Sequence, residues 1–146
     1  MRAVLQRVTE ARVTVDGEIA GEIGPGLVIL LGVERGDDAS RAEWLANRIA
    51  ELRLFPAGGK HFDVSLVDAG LEALVVSQFT LLADVSRGRR PDFTRAETGV
   101  LAEPLVARFC EVLRALGVRV AEGRFGADML VSLTNDGPVT ISVEGR

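Results

Sequence analysis

One cysteine, one histidine, one tryptophan and no tyrosine leave this 146-residue chain short of the side chains that most often carry chemistry. With Cys110 alone there is no intrachain disulfide. With His61 as the only imidazole there is neither a Cys/His zinc site nor a two-histidine metal motif. Metal catalysis would have to rest on carboxylates, and the expectation is no metal and no cofactor. No apolar run approaches the roughly 20 residues that a membrane-spanning helix requires. The opening stretch MRAVLQRVTEARVTV alternates polar and apolar residues, without the charged start and apolar block of a signal peptide. These absences predict a soluble, cytoplasmic protein with no membrane partner.

An excess of positive charge is missing too. Seventeen bases against 21 acids give a net charge of −4, so no global field draws the chain to nucleic acid, and DNA is not an expected partner. Any RNA contact must be local. The stretch SRGRRPDF offers one candidate, because Arg87, Arg89 and Arg90 sit in a Gly/Pro-punctuated loop suited to phosphates. The same run reads equally well as a solvated surface loop.

The familiar catalytic kits are absent as well. There is no G-x-S-x-G elbow, no Ser-x-x-Lys and no phosphate-binding G-x-x-x-x-G-K-[ST]. His61 lies in the loop GGKHFD, far in sequence from any serine or threonine worth suspecting, and a lone loop histidine is more often a surface residue than a base. Cys110 falls inside an amphipathic helix beside Phe109, where a small buried hydrophobe is the better reading than a reactive thiol. Asp37 and Asp38 precede a helix and read as caps.

What the chain does contain is patterned for one α+β domain spanning residues 1–146. Val4, Val8, Val13, Val15, Ile19 and Ile23 mostly follow a period of two, with turns at Asp16-Gly17 and Gly24-Pro25-Gly26. LVILLGV then reads as a strand buried on both faces. Ala42, Leu45, Ala46, Ile49 and Leu52 recur at helical spacing, with Ser40 and Glu43 offset as a capping box. PAGGKHFDVSLVDAG reads as a loop with one short strand, and EALVVSQFTLLA as a buried strand. A second helix carries Leu105, Phe109, Val112, Leu113 and Leu116, with Pro104 in its first turn and Gly117 as its stop. VRVAEGRF and DMLVSLTNDGPVTISV finish the chain as strands. The expected architecture is mixed and antiparallel sheets forming a barrel-like core, with two helices packed on one side.

Two stretches remain unexplained by packing. VVSQFTLLA places Ser77, Gln78 and Thr80 directly after an apolar run, where polar groups either leave for solvent or edge a pocket. In NDGPVT, Asp136-Gly137 is a strong hairpin signal that Pro138 spoils. The chain is nevertheless expected to reverse there, and the other Gly-Pro, at Pro25, is expected to be an ordinary trans turn.

Together, LQRVTEARVTVDGEIAGEIGPGLVILLGV, VVSQFTLLAD, RGRRPDF and GRFGADMLVSLTNDGPVT closely resemble the D-aminoacyl-tRNA deacylase family, editing hydrolases that remove D-amino acids from tRNA. The resemblance runs from end to end, with Ser77-Gln78-Phe79-Thr80-Leu81 and Asn135-Asp136-Gly137-Pro138-Val139-Thr140 as its specific motifs. It implies a homodimer in which a cis Gly137-Pro138 enters the partner subunit's active site and meets Ser77, Gln78, Phe79 and Thr80 there. It further implies a substrate that is the tRNA 3′ end carrying a D-amino acid or glycine. Arg7 would support the Gly-Pro loop, and Met129 and Phe93 would line the pocket. GKHFD departs from the GKMN usual in the family, with Phe62 and Asp63 where Met and Asn are common. A non-catalytic tRNA-binding dimer module and a small-molecule esterase using Thr80 are the alternatives.

Overall fold

Strand β1 (Arg2–Val15) is long enough to serve two cores. Ala3 and Leu5 are buried toward one of them, and Val8, Ala11, Val13 and Val15 toward the other. A strict period of two would put Val8 on the face opposite Ala3, Leu5, Ala11, Val13 and Val15. Val8 and Ala11 nevertheless share one core, so the alternation breaks between them, just past the adjacent buried pair Arg7 and Val8, where the register between β1 and its partner on that side also shifts.

The computed structural model describes residues 1–145. β1 pairs antiparallel with β2 (Glu18–Ile23) through Ala11–Val15 and with β3 (Gly26–Gly32) through Arg2–Val8. Asp16 and Gly17 both have positive φ, as a two-residue hairpin turn requires. β6 (Glu72–Ser77) lies parallel to β3, and β7 (Arg119–Glu122) parallel to β6. The order is β2-β1-β3-β6-β7, with β8 (Leu130–Glu144) along the other edge of β1. The sheet curls until its ends nearly meet: a Cβ at Gly21 of β2 would stand 2.5 Å from Glu122 O of β7. This is the mixed, barrel-like α+β fold that the sequence predicts.

Helices α1 (Ala39–Glu51) and α3 (Gly99–Ala115) cover the outer face. Ala42, Leu45, Ala46, Ile49 and Ala50 of α1 join Ala102, Val106, Phe109, Cys110 and Leu113 of α3 against Leu27, Ile29 and Leu31 of β3. Val28 points the other way, into the curled interior with Val13, Leu74 and Val76. β3 is therefore apolar on both faces, which explains its unbroken hydrophobic run.

Several local expectations need correction. Asp38, not Ser40, caps α1: its Oδ1 accepts the Arg41 N–H at 3.0 Å and the Ser40 hydroxyl at 2.7 Å. Pro104 is the sixth residue of α3 rather than part of its first turn; it is exposed, and the helix tolerates the missing donor on its solvent side. The segment expected as a loop with one strand is a hairpin, β4 (Arg53–Ala57) and β5 (Lys60–Ser65), followed by the one-turn helix α2 (Leu66–Ala69). Among the described residues the helices therefore number three. Glycines at 58 and 59, both with positive φ, make the hairpin turn.

The largest correction concerns NDGPVT. The chain does not reverse there. Residues 130–135 of β8 pair with β1 on one side of Arg7, and residues 140–144 pair with it on the other, still antiparallel. Asp136–Val139 are four residues facing the single Arg7, so they bulge outward from a strand that continues in the same direction. Gly24-Pro25 is an ordinary turn whose Pro25 carbonyl accepts the Glu72 N–H.

Gly26 is held by close approach: an added Cβ would fall 1.8 Å from Glu72 O. Because backbone cannot swing aside, Gly26→Ala is expected to cost about 1–3 kcal/mol or more, read as a lower urea midpoint. Cys110 is fully buried, and burial pushes its thiol up to about 12 from an ordinary 9.0. Its neutral form thus favours the fold below pH 9, and that contribution is lost as pH rises toward 12. A maleimide at pH 8 should leave Cys110 unlabelled until denaturant is added.

Candidate active site

β6 runs buried from Ala73 to Val76 and reaches the surface at Ser77. The Gln78 N–H still donates to Leu31 O at 2.8 Å, extending the parallel pairing by one bond. The chain then tightens into a 3-10 turn, Phe79–Leu82, where the sequence predicts further strand. Leu82 plugs into the core beside Gly32, at which a Cβ would lie 2.5 Å from its Cδ2. Arg2 Nη1 donates to Leu81 O at 3.1 Å from the far side of β1. The turn is thus anchored both below and beside.

That anchoring leaves two backbone donors at the surface. The first bond of the turn is Leu81 N–H to Gln78 O, so the amides of Phe79 and Thr80 precede it and have no protein partner among the described residues. Thr80 is exposed, and its hydroxyl accepts from Gln78 Nε2. An amide donor cannot take up a proton, so Thr80 has no general base beside it.

A groove of about 490 Å³ opens next to this turn. Ser77, Gln78 and Phe79 form one wall and residues 125–129 the other, over a floor that includes Val33, Val76 and Ala102. Met129 belongs to the second wall and lies so close to Gly123 that a Cβ there would stand 2.7 Å from its sulfur. Glu97 and Asp128 are the carboxylates on the rim. Phe93 reaches the site from behind, edge-on to Phe79 with ring centroids 5.0 Å apart, instead of lining the groove.

The Gly-Pro bulge is built from below by Arg7. This guanidinium is buried, and two of its nitrogens are hydrogen-bonded: Nε donates to Asp136 O at 3.1 Å, with the Asp136 carboxylate 3.6 Å away, and Nη1 donates to Leu54 O at 2.9 Å. Phe62 covers it at 5.9 Å, so the divergent GKHFD loop supports the bulge through its phenylalanine. Asn135 closes the base, accepting the Val139 N–H at 3.1 Å and donating to Thr140 Oγ1 at 2.9 Å. Gln6 Nε2 donates to the same hydroxyl. Gly137 has φ +130, and a Cβ there would meet Val139 Cγ2 at 2.8 Å and Arg7 Nη2 at 3.2 Å. The Gly137-Pro138 peptide is cis.

One chain therefore holds two separate constellations. Ser77, Gln78, Phe79 and Met129 share the groove, with Thr80 next to them and Phe93 behind. Gly137 and Pro138 stand on an exposed bulge, braced by the buried Arg7, that does not line that groove. His61 is exposed. Sequence reasoning missed Arg2, Gln6, Asn135 and Thr140 as supports; the last two stand inside the quoted motif and flank the turn residues, which was their only signal.

A groove bordered by a hydroxyl, an amide, two carboxylates and backbone N–H groups without protein partners offers donors to a polar ligand and holds neither imidazole nor thiol. Comparison with known proteins gives the class, a hydrolase. The family model described as D-Tyr-tRNA(Tyr) deacylase matches residues 4–144, and the chain belongs to that family of hydrolases. It is 57% identical to the D-aminoacyl-tRNA deacylase of Thermomicrobium roseum over 97% of this chain and 92% of that one. It is 50% identical to the enzyme of the same name from Chromobacterium violaceum, over 100% and 98%. A solved structure called c-Myc DNA Unwinding Element Binding Protein superimposes with a TM-score of 0.92 at 44% identity, covering 99% of this chain and 98% of that one. A probable eukaryotic D-amino acid tRNA deacylase has the same fold, with a TM-score of 0.86 at 18% identity over 97% of each chain. No helix among the described residues is long and apolar enough to cross a membrane.

Asn135→Ala removes both bonds at the base of the bulge, and each such bond is worth about 0.5–1.5 kcal/mol. The expected result is a stability loss of about 1–2 kcal/mol, with the Val139 amide losing its protection from hydrogen exchange. Unchanged protection would mean that the bulge is held otherwise.

Proposed function

We propose that residues 1–146 act as one domain that hydrolyses the ester linking a D-amino acid, or glycine, to the 3′ end of tRNA, working in the cytoplasm as a homodimer. The observation that carries this reading is the separation of the two constellations. Gly137 and Pro138 stand out from their own chain on a braced bulge, and the groove beside Ser77–Thr80 lacks a cover. A second copy supplies the bulge to the groove, and the terminal adenosine lies alongside the Ser77–Phe79 wall.

An aminoacyl ester is activated by its own ammonium group, so it needs less help than an amide. Water attacks the carbonyl carbon, and the Phe79 and Thr80 N–H groups hold the oxyanion that develops. The C–O bond to the ribose then breaks, and the departing oxygen takes a proton from the attacking water, relayed by the neighbouring 2′-hydroxyl. Positioning supplies several kcal/mol of the barrier reduction and an aimed backbone donor about 3–4 more. In this scheme Thr80 positions, Gln78 fixes its hydroxyl, and Phe79 presents its amide.

Chirality is selected by exclusion. A pocket that recognises side chains cannot accept every D-amino acid, whereas a rigid wall at the Cα can refuse every L one. Gly137 and Pro138 form that wall: their carbonyl oxygens receive the ammonium group, and the space an L side chain would need is filled. Glycine has no side chain to refuse and passes.

D-Tyr-tRNA and Gly-tRNA should be deacylated by the purified protein and L-Tyr-tRNA spared. Comparable rates on the two tyrosyl esters would remove the steric account, and no turnover of any D-aminoacyl-tRNA would leave a tRNA-binding module. Thr80→Ala should keep most of the rate. A loss of several orders of magnitude would make Thr80 a covalent nucleophile.

A further inference from the structure

The arginine-rich stretch is a closed excursion from the site. Asp84 and Asp92 exchange two backbone hydrogen bonds, at 2.8 and 2.9 Å, and pinch residues 85–91 into a loop. This loop leaves the chain just after the 3-10 turn of the groove ends at Leu82. It returns immediately before Phe93, which packs edge-on against Phe79. Both ends of the loop are therefore tied to the turn that carries Phe79 and Thr80.

Its charge is unopposed. Residues 85–91 contain Arg87, Arg89 and Arg90 and no acid, in a chain whose net charge is −4. All three arginines are exposed, and none forms an ion pair among the described residues. Arg95, just beyond the loop, is by contrast paired with Glu34 at 2.6 Å. The two carboxylates that flank the loop brace its ends: Asp84 Oδ1 accepts the Ser86 N–H and Asp92 Oδ1 the Thr94 N–H, both at 2.9 Å. Gly88, at φ +66, turns the backbone between Arg87 and Arg89.

We propose that this loop is a phosphate clamp, in which Arg87, Arg89 and Arg90 bind the backbone phosphates of the RNA strand just 5′ of the terminal nucleotide. The identity of that strand rests on the deacylase reading above; the anionic chemistry rests on the loop. Guanidinium forks match phosphate oxygens, and contacts of this kind set register without reading sequence. A protein with no general positive field thereby holds RNA at one place, beside its groove.

The test compares wild type with the triple variant Arg87→Gln, Arg89→Gln, Arg90→Gln. It uses three probes: D-tyrosyl-tRNA, the D-tyrosyl ester of adenosine (which has no phosphate), and uncharged tRNA binding by fluorescence anisotropy. The preference for the charged tRNA over the adenosine ester should fall at least tenfold. The slope of log kcat/KM against log salt should become shallower by about 2, from three contacts at about 0.7 each on single strands. The corresponding Arg→Lys triple variant should restore the slope. An unchanged preference and slope, or an equal loss on both esters, would overturn the clamp. If wild type cleaves neither ester, the deacylase reading falls; weaker, less salt-sensitive tRNA binding by the glutamine variant would still uphold the clamp, and equal binding would overturn it.

Discussion

The buried guanidinium of Arg7 is the point on which the bulge of β8 rests. A charge out of water is costly unless it is paired and hydrogen-bonded. Here the partners are the carbonyls of Leu54 and Asp136 and the Asp136 carboxylate. Satisfying Arg7 therefore joins three chain segments that are remote in sequence: β1, the β4–β5 hairpin and the bulge of β8. Just past it β1 breaks its alternation and feeds the second core, and opposite it β8 gains the extra residues that lift Gly137 and Pro138 out of the ladder. Phe62 completes the enclosure, so the β4–β5 hairpin supports the bulge as well.

The groove follows a related logic with backbone in place of charge. A strand buried on both faces must end, and the way it ends exposes donors. Leu82 and the Arg2–Leu81 bond force a tight turn immediately after Ser77, and a tight turn leaves its first amides free. These donors come from the backbone, so they place no demand on side-chain type, in a chain with one histidine and one cysteine. Basic charge is gathered locally as well: residues 85–91 hold three arginines and no acid.

Much of this was readable along the chain. The period-two runs, the unbroken apolar strand β3 and the two long helices follow from which atoms must leave water, a property that adjacent residues reveal. Cys110 as a buried hydrophobe was legible for the same reason. The helix starts were less so. Asp38 and Ser40 are both good caps, and the choice fell to Asp38, which also sits beside the buried Asp37 that holds the Met1 amine. Pro104 misled because proline favours first turns, whereas an exposed helix face tolerates it later.

The stretch NDGPVT marks the limit most clearly. Its residue types required a departure from regular strand and required glycine at 137, where φ is positive and a side chain would collide with Val139 and Arg7. Local chemistry could not say whether that departure was a reversal or a bulge, because both place the same residues in the same order. Pairing settled it: β1 runs past on both sides of Arg7, and a strand bonded to one continuous partner cannot turn back. The composition and pattern thus specified the sheet, the helices and the residue types at the site. Which side chains share a groove, and which bulge stands apart from it, depended on contacts between residues far apart in sequence, such as Ser77 with Met129 and Arg7 with Asp136.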